Sequence, residues 1–240
     1  MKTIALLILA TTTAVWGSGW QLYRSDPSPA PNARSVCLNA PYPISVLCDG
    51  TPPRIYNEIN AAQYIDLQVP PGAWGFADRG SYYVISNRTN SYIYTVNTAG
   101  SLLSSFRCPR DAPADLNEWA SSSLYVAIPA ENRCYRLDYS GSILGSYTPP
   151  GYNVTALEVA SPFDDAIYGD PTTHRVYVMG YGSFYLENPL GLTSDRTAGY
   201  PEWDGIIVVN GADNRIYQYG FVGPLGVAPA SWGKVKALLR

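Results

Sequence analysis

Short apolar runs alternate with polar turns along most of this chain, and no segment of ten or more residues carries a convincing 3.6-residue apolar period. The clearest runs are "ISVL" (44–47), "YYVIS" (82–86), "LYVAI" (124–128), "AIYG" (166–169) and "GIIVV" (205–209). Each leads into a turn rich in Asn, Asp, Thr, Pro or Gly, and then into a short strand with a tyrosine in one register. Those tyrosines are Tyr56, Tyr94, Tyr135, Tyr177 and Tyr217, at steps of 38, 41, 42 and 40 residues. Arginine stands two positions earlier in four units (Arg54, Arg133, Arg175, Arg215), and Tyr92 takes that place in the second. An aromatic or apolar residue near an acid usually precedes the apolar run, as in "AWGFAD" (73–78), "NEWAS" (117–121), "ALEVA" (156–160) and "PEWDG" (201–205). Another strand follows: "YIDLQV" (64–69), "LLSSFRC" (102–108), "ILGSY" (143–147), "FYLE" (184–187). Four strands per unit make one antiparallel blade. Such a unit cannot bury both faces alone, but radial packing of like units can. The pattern therefore predicts an all-β chain forming a β-propeller of five four-stranded antiparallel blades. Six are the alternative if head and tail build another.

The units "LYVAIPAENRCYRLDYSGSILGSY" and "IIVVNGADNRIYQYG" resemble NHL and YVTN-type propeller repeats, in which an apolar strand leads into an Asn-Arg turn and a further strand. The resemblance covers roughly residues 44–220 and implies the fold. Proteins built from such repeats include binding proteins, lactonases and scaffolds, so it does not choose a function.

The repeats leave both ends over. Residues 1–18 have a single Lys2, an apolar run from Ile4 to Ala10, and then small and hydroxyl residues, the order of a secretory signal. The run is too short to cross a bilayer, which takes about 20 residues, and no later stretch qualifies. Residues 19–35 hold three prolines and read as an extended N-terminal arm, with Trp20 and Tyr23 as contacts for a neighbouring molecule. The propeller is expected over 36–240, with "ARSVCLNA" (33–40) giving its first strand. The alternating "SWGKVKALLR" (231–240) is expected as a last strand that completes the final blade or pairs with the first, with Trp232 and Val235 as further assembly contacts.

Composition narrows the partners. Charged residues make up 15 % of the chain, against about 25 % in a typical soluble domain. Lysine occurs three times, tyrosine 20 times, and the formal net charge is −3. No basic field invites a nucleic acid. A tyrosine-rich, charge-poor surface suits contact with proteins, since interface cores are enriched in Tyr and depleted of Lys and Glu. The same composition suits ordinary strands. Four cysteines, Cys37, Cys48, Cys108 and Cys134, in an exported chain favour two disulfides. Three pairings are open, and sequence proximity favours 37–48 and 108–134.

Candidate chemistry is thin. Arg133-Cys134-Tyr135 juxtaposes a cation, a thiol and a phenol, but its Arg and Tyr recur in sister units as scaffold. His174 is the one histidine and occupies a turn position held by Asn in "ADNRIY" and "AENRCY". No nucleophile elbow, P-loop or dinucleotide fingerprint is present. Asp78, Glu118, Glu158, Glu202 and Asp204 fall on or just after the presumed innermost strands, where carboxylates could converge on the channel and suit Ca²⁺. Propeller lactonases use Glu, Asn and Asp around a divalent metal, but their ligands do not map here residue by residue. Trp74, Trp119 and Trp203 recur in three units and read as blade packing or as an aromatic face for a sugar or peptide. Sequons at Asn87 and Asn153 fall in turns that could carry glycans. The leading expectation is a secreted, non-catalytic interaction or structural module, extending to self-assembly into a larger extracellular assembly or filament. The alternatives are a metal-dependent lactonase- or esterase-like hydrolase and a glycan- or peptide-binding propeller.

Overall fold

The structure, a computed structural model, describes residues 19–38, 44–57, 63–119, 123–159, 166–195 and 205–222. Its strands in chain order are β1 (Gly19–Pro27), β2 (Ala33–Leu38), β3 (Ile44–Cys48), β4 (Arg54–Tyr56), β5 (Tyr64–Asp66), β6 (Ala73–Asp78), β7 (Tyr82–Asn87), β8 (Tyr92–Asn97), β9 (Leu102–Arg107) and β10 (Leu116–Trp119). They continue with β11 (Ser123–Ile128), β12 (Arg133–Leu137), β13 (Ile143–Tyr147), β14 (Ala156–Val159), β15 (Ala166–Asp170), β16 (Arg175–Val178), β17 (Gly182–Tyr185), β18 (Pro189–Asp195), β19 (Gly205–Asn210) and β20 (Arg215–Val222). They form five four-stranded antiparallel sheets, the blades of a β-propeller. Blades one to four are β2–β5, β6–β9, β10–β13 and β14–β17, each in simple meander order, and blade five is β18-β19-β20-β1.

The second strand of every blade is buried on both faces, which is why it reads as a continuous apolar run rather than an alternation. Packing these strands face to face gives five core clusters, one between each pair of neighbouring blades. The cluster of Val36, Val46 and Tyr56 with Val209 and Ile216 joins blade five back to blade one.

The repeated turn has a mechanical explanation. Its first polar side chain caps the loop: Asn87 Oδ1 accepts from the backbone N–H groups of Thr89 and Asn90, and Asp170 Oδ1 from those of Thr172 and Thr173. The last turn residue adopts a left-handed backbone, at Ser91, Asn132, His174 and Asn214. Asn tolerates that conformation better than most residues. His174 is thus a turn residue, as its alignment with Asn implied. The periodic tyrosine ties its strand to the turn four residues earlier: Tyr177 Oη donates to Thr173 Oγ1 (3.1 Å), Tyr217 Oη to Asp213 Oδ2 (2.6 Å), and Asn90 Nδ2 donates to Tyr94 Oη (2.8 Å). The periodic arginine secures the outermost strand, through Arg54 to Asp66 (2.7 Å), Arg175 to Ser183 (2.8 Å) and Arg215 to Ser25.

Four expectations need correction. Residues 19–27 are not a free arm: β1 pairs with β20 along its length and supplies the outer strand of blade five, the place expected for 231–240. That tail, with Trp232 and Val235, lies outside the described residues, as does the segment 1–18. Trp20 is used internally, its ring 5.6 Å from Phe184 and 5.4 Å from Phe221, its indole N–H donating to Tyr181 O. Tyr23 lies over Gly220, whose lack of a side chain makes the room, and its ring remains exposed. The innermost strand of blade five is β18, not "PEWDG".

The cysteines are free thiols. Cys37 stands opposite Ser45, three residues along β3 from Cys48, a separation of about 10 Å and beyond the ~7 Å reach of a disulfide. Cys108 packs between blades two and three, and Cys134 on the other face of blade three, against blade four. The sheet itself separates them.

Candidate functional site

The innermost strands β2, β6, β10, β14 and β18 meet around the axis, and the residue at their centre is Asp115, just before β10. It is 1 % exposed. One carboxylate oxygen accepts from Ser35 Oγ of blade one (2.8 Å); the other accepts from the backbone N–H groups of Leu157 in blade four (3.0 Å) and Leu192 in blade five (3.1 Å). Blade two meets it through Gly75, where a Cβ would fall 2.5 Å from Asp115 Cα. One carboxylate thus joins or touches all five blades. Burial pushes its pKa up to about 7, against the opposing effect of these donors.

Further hydrogen bonds pass the connection around the ring. Ser86 Oγ of blade two donates to Ala114 O, the Asp115 N–H to Thr155 O, and Thr155 Oγ1 of blade four to Pro189 O. Nothing in the sequence marked Asp115. It lies in "DAPADLNEW" and reads as one more loop acid, because the groups that enclose it come from four other blades.

The carboxylates chosen from sequence do not converge. Their cross-strand partners are Tyr83 for Asp78, Leu124 for Glu118 and Ile167 for Glu158; Tyr83 and Leu124 hold matching places in their blades' second strands, and Ile167 stands one residue nearer its turn. A one-residue difference in register turns a side chain to the opposite face. Asp78 Oδ1 accepts from the Gly80 N–H (2.7 Å) and so caps its own loop. Glu118 is drawn between blades two and three, where Arg79 Nε approaches to 3.1 Å and Tyr82 Oη donates at 3.3 Å. Glu158 accepts from Asn117 Nδ2 (3.0 Å) across blades three and four. Among the described residues no group of three or more His, Cys, Asp or Glu side chains is placed to hold a metal ion. Glu202, Trp203 and Asp204 lie outside the described residues.

Trp74 is the tryptophan the axis uses. From blade two its indole packs against the cluster between blades five and one and also against the cluster between blades three and four. A side chain touching cores on those two sides must cross the channel. The guanidiniums of Arg34 and Arg88 stack on it, 4.5 and 4.3 Å from the ring centre. Trp119 closes β10. Burial pushes the Cys37 and Cys134 thiols up to about 12, and those of Cys48 and Cys108 to about 11. None is the thiolate that cysteine chemistry needs near neutrality. Asn87 is fully buried and donates its amide to Pro70 O and Pro71 O (2.8 and 3.1 Å), so it is no glycan acceptor in the folded chain.

No protein-family model matches the chain, and no curated protein matches it. Solved structures do. A glutaminyl cyclase of Myxococcus xanthus superposes with a TM-score of 0.65 at 12 % identity, over 86 % of this chain and 98 % of that one. A virginiamycin B lyase from Staphylococcus aureus gives 0.50 at 10 % identity, over 85 % and 100 %. At these identities the likeness shows the fold. Enzymes share this architecture, so activity has to be argued from side chains. Among the described residues no helix is long and apolar enough to cross a membrane.

Proposed function

We propose that this protein is a non-catalytic, extracellular interaction module that associates with copies of itself through the outer edges of blades two and three. One observation carries the proposal. β9 and β13 are edge strands with uncharged, apolar, exposed faces: Leu102 and Leu103 are 45 % and 59 % exposed, Ile143 and Leu144 43 % and 53 %. An edge strand offers unpaired backbone groups to any passing strand, and proteins commonly blunt it with charge, proline or brevity. Blade one does so with a three-residue β5 whose Asp66 is paired with Arg54, and blade five with the Arg24–Asp26 pair and Pro27 on β1. From Leu102 to Phe106 and from Ile143 to Tyr147, β9 and β13 carry no charge or proline.

Addition of a strand from a second copy would satisfy the edge and cover the leucines together. The low overall charge removes a barrier to like molecules meeting. The extracellular location rests on the signal-like order of residues 1–18.

Light scattering coupled to size-exclusion chromatography tests the association directly. The wild-type chain gives larger species as concentration rises, and the double variant L103K/L144K stays monomeric with its thermal stability little changed. A wild-type chain that remains strictly monomeric at high concentration overturns the self-association. Recovery of the processed chain from the culture medium of the native source, with its new N-terminus read by mass spectrometry, tests the location.

A further inference from the structure

At one end of the channel two cations share one aromatic ring. Arg34 lies at the bulge of β2, Trp74 at the bulge of β6, and Arg88 in the turn after β7. Arg88 is fixed there by its backbone N–H, which donates to Gly72 O (2.8 Å). Neither guanidinium forms an ion pair among the described residues. Two donors of the group are also shut off from solvent without a hydrogen-bond partner among the described residues: Arg34 Nε and Trp74 Nε1.

Stacking offsets part of the cost of holding like charges together. It does nothing for the N–H groups. A buried donor left unpaired loses its hydration without compensation, and native structures keep few of them without a reason. The repeat supplies no reason here. The turn position of Arg88 is filled by Gly50, Pro129, Pro171 and Gly211 in the other blades, so no shared structural duty requires a cation. Burial and the neighbouring Arg34 charge both weaken the hold of Arg88 on its proton, the direction expected where two cations meet without an anion.

We propose that Arg34, Trp74 and Arg88 form a binding site for an oxyanion at this end of the channel. The two guanidiniums supply forked, charge-assisted donors, and the indole N–H adds one from the side. That donor set matches phosphate, sulfate or carboxylate, the groups arginine binds through paired N–H contacts. The ligand class is a small molecule or chain terminus bearing such a group.

Isothermal titration of the full chain with inorganic phosphate, sodium sulfate or sodium succinate, against sodium chloride at equal ionic strength, tests this. Saturable one-to-one binding is expected for at least one oxyanion and none for chloride. The phosphate and succinate arms separate a tetrahedral anion from a carboxylate. R34Q and R88Q, each confirmed folded by circular dichroism, should weaken binding roughly tenfold or more. R133Q, which changes an exposed arginine of blade three, should leave it unchanged. R88K guards against misfolding by keeping the charge, and should bind more weakly than wild type but better than R88Q. Absence of saturable oxyanion binding to the wild-type chain overturns the site, as does full-strength binding by folded R34Q and R88Q.

Discussion

The blades and the axis they surround are built on opposite plans. Out on the blades the same parts recur: a capped polar turn, a left-handed closing residue, a tyrosine reaching back four positions, an arginine holding the outer strand. On the axis nothing recurs. Blade three supplies a buried aspartate, blade two a glycine and a tryptophan, blade one a serine and an arginine, and blades four and five only backbone N–H groups to the aspartate. Repeats can be identical where each solves its own folding problem. At the axis, five identical side chains would compete for one small space, so each blade must contribute something different.

This contrast implies that single changes at the axis act on the whole ring, whereas changes in a turn act on one blade. The largest effects are expected at Asp115 and Gly75. D115A strands the Ser35 hydroxyl and two backbone N–H groups, and should cost about 3 kcal/mol or more. G75A pushes a Cβ against the backbone of blade three and should cost as much. Urea unfolding followed by fluorescence measures both. If either loses less than about 1 kcal/mol, blades can shift around the axis more freely than this packing allows.

The next effect is a pH dependence. The Asp115 pKa is raised in the folded chain to about 7 from an ordinary 3.8. Between those values the native state keeps a proton that the unfolded chain has released, so this group's contribution to stability falls as pH rises from about 4 to 7. Below that window its contribution is fully present. Unfolding curves of wild type and D115N across pH 4–8 should show their stability difference declining through that range. A difference that stays flat would mean the three donors hold Asp115 ionised throughout.

Turn substitutions should be smaller and local. Asn214 has φ of 55°, accepts from the Ala33 N–H and donates to Ala30 O. N214A should cost about 2 kcal/mol and N214G less, because glycine keeps the backbone geometry and loses only the side-chain bonds. Equal losses for the two would show that backbone strain is not what selects Asn there. Smallest is Y217F, which removes a single exposed bond to Asp213 and should cost about 0.5–1 kcal/mol by thermal denaturation.

How far sequence reached follows the same division. The five tyrosines lie on the third strands β4, β8, β12, β16 and β20, and the apolar runs became the second strands. Both signals are local, set by a turn and the residues beside it. The inner strand of blade five was misplaced because "PLGLTSD" lacks the aromatic-and-acid pattern of the others. The N-terminal strand was missed because β1 makes its pairing with β20, at the far end of the chain, and nothing near residues 19–27 announces it. Asp78, Glu118 and Glu158 lie on inner strands but do not converge, since Glu158 stands one residue out of register with the other two and each acid is drawn to a partner of its own, the Gly80 N–H, Arg79 and Asn117. The disulfides failed for a similar reason: proximity in sequence ignored that Cys108 and Cys134 stand on opposite sides of one sheet.

The blade, its four strands, its turn chemistry and the number of repeats are all legible along the chain, because hydrogen-bonded turns and apolar runs act over fewer than ten residues or so. Which residue holds the ring together, and which cations meet on one indole, emerges only when the five blades are packed. Those contacts join positions tens of residues apart, and whether a carboxylate is a solvated loop acid or a buried hub depends on what the other four blades place around it.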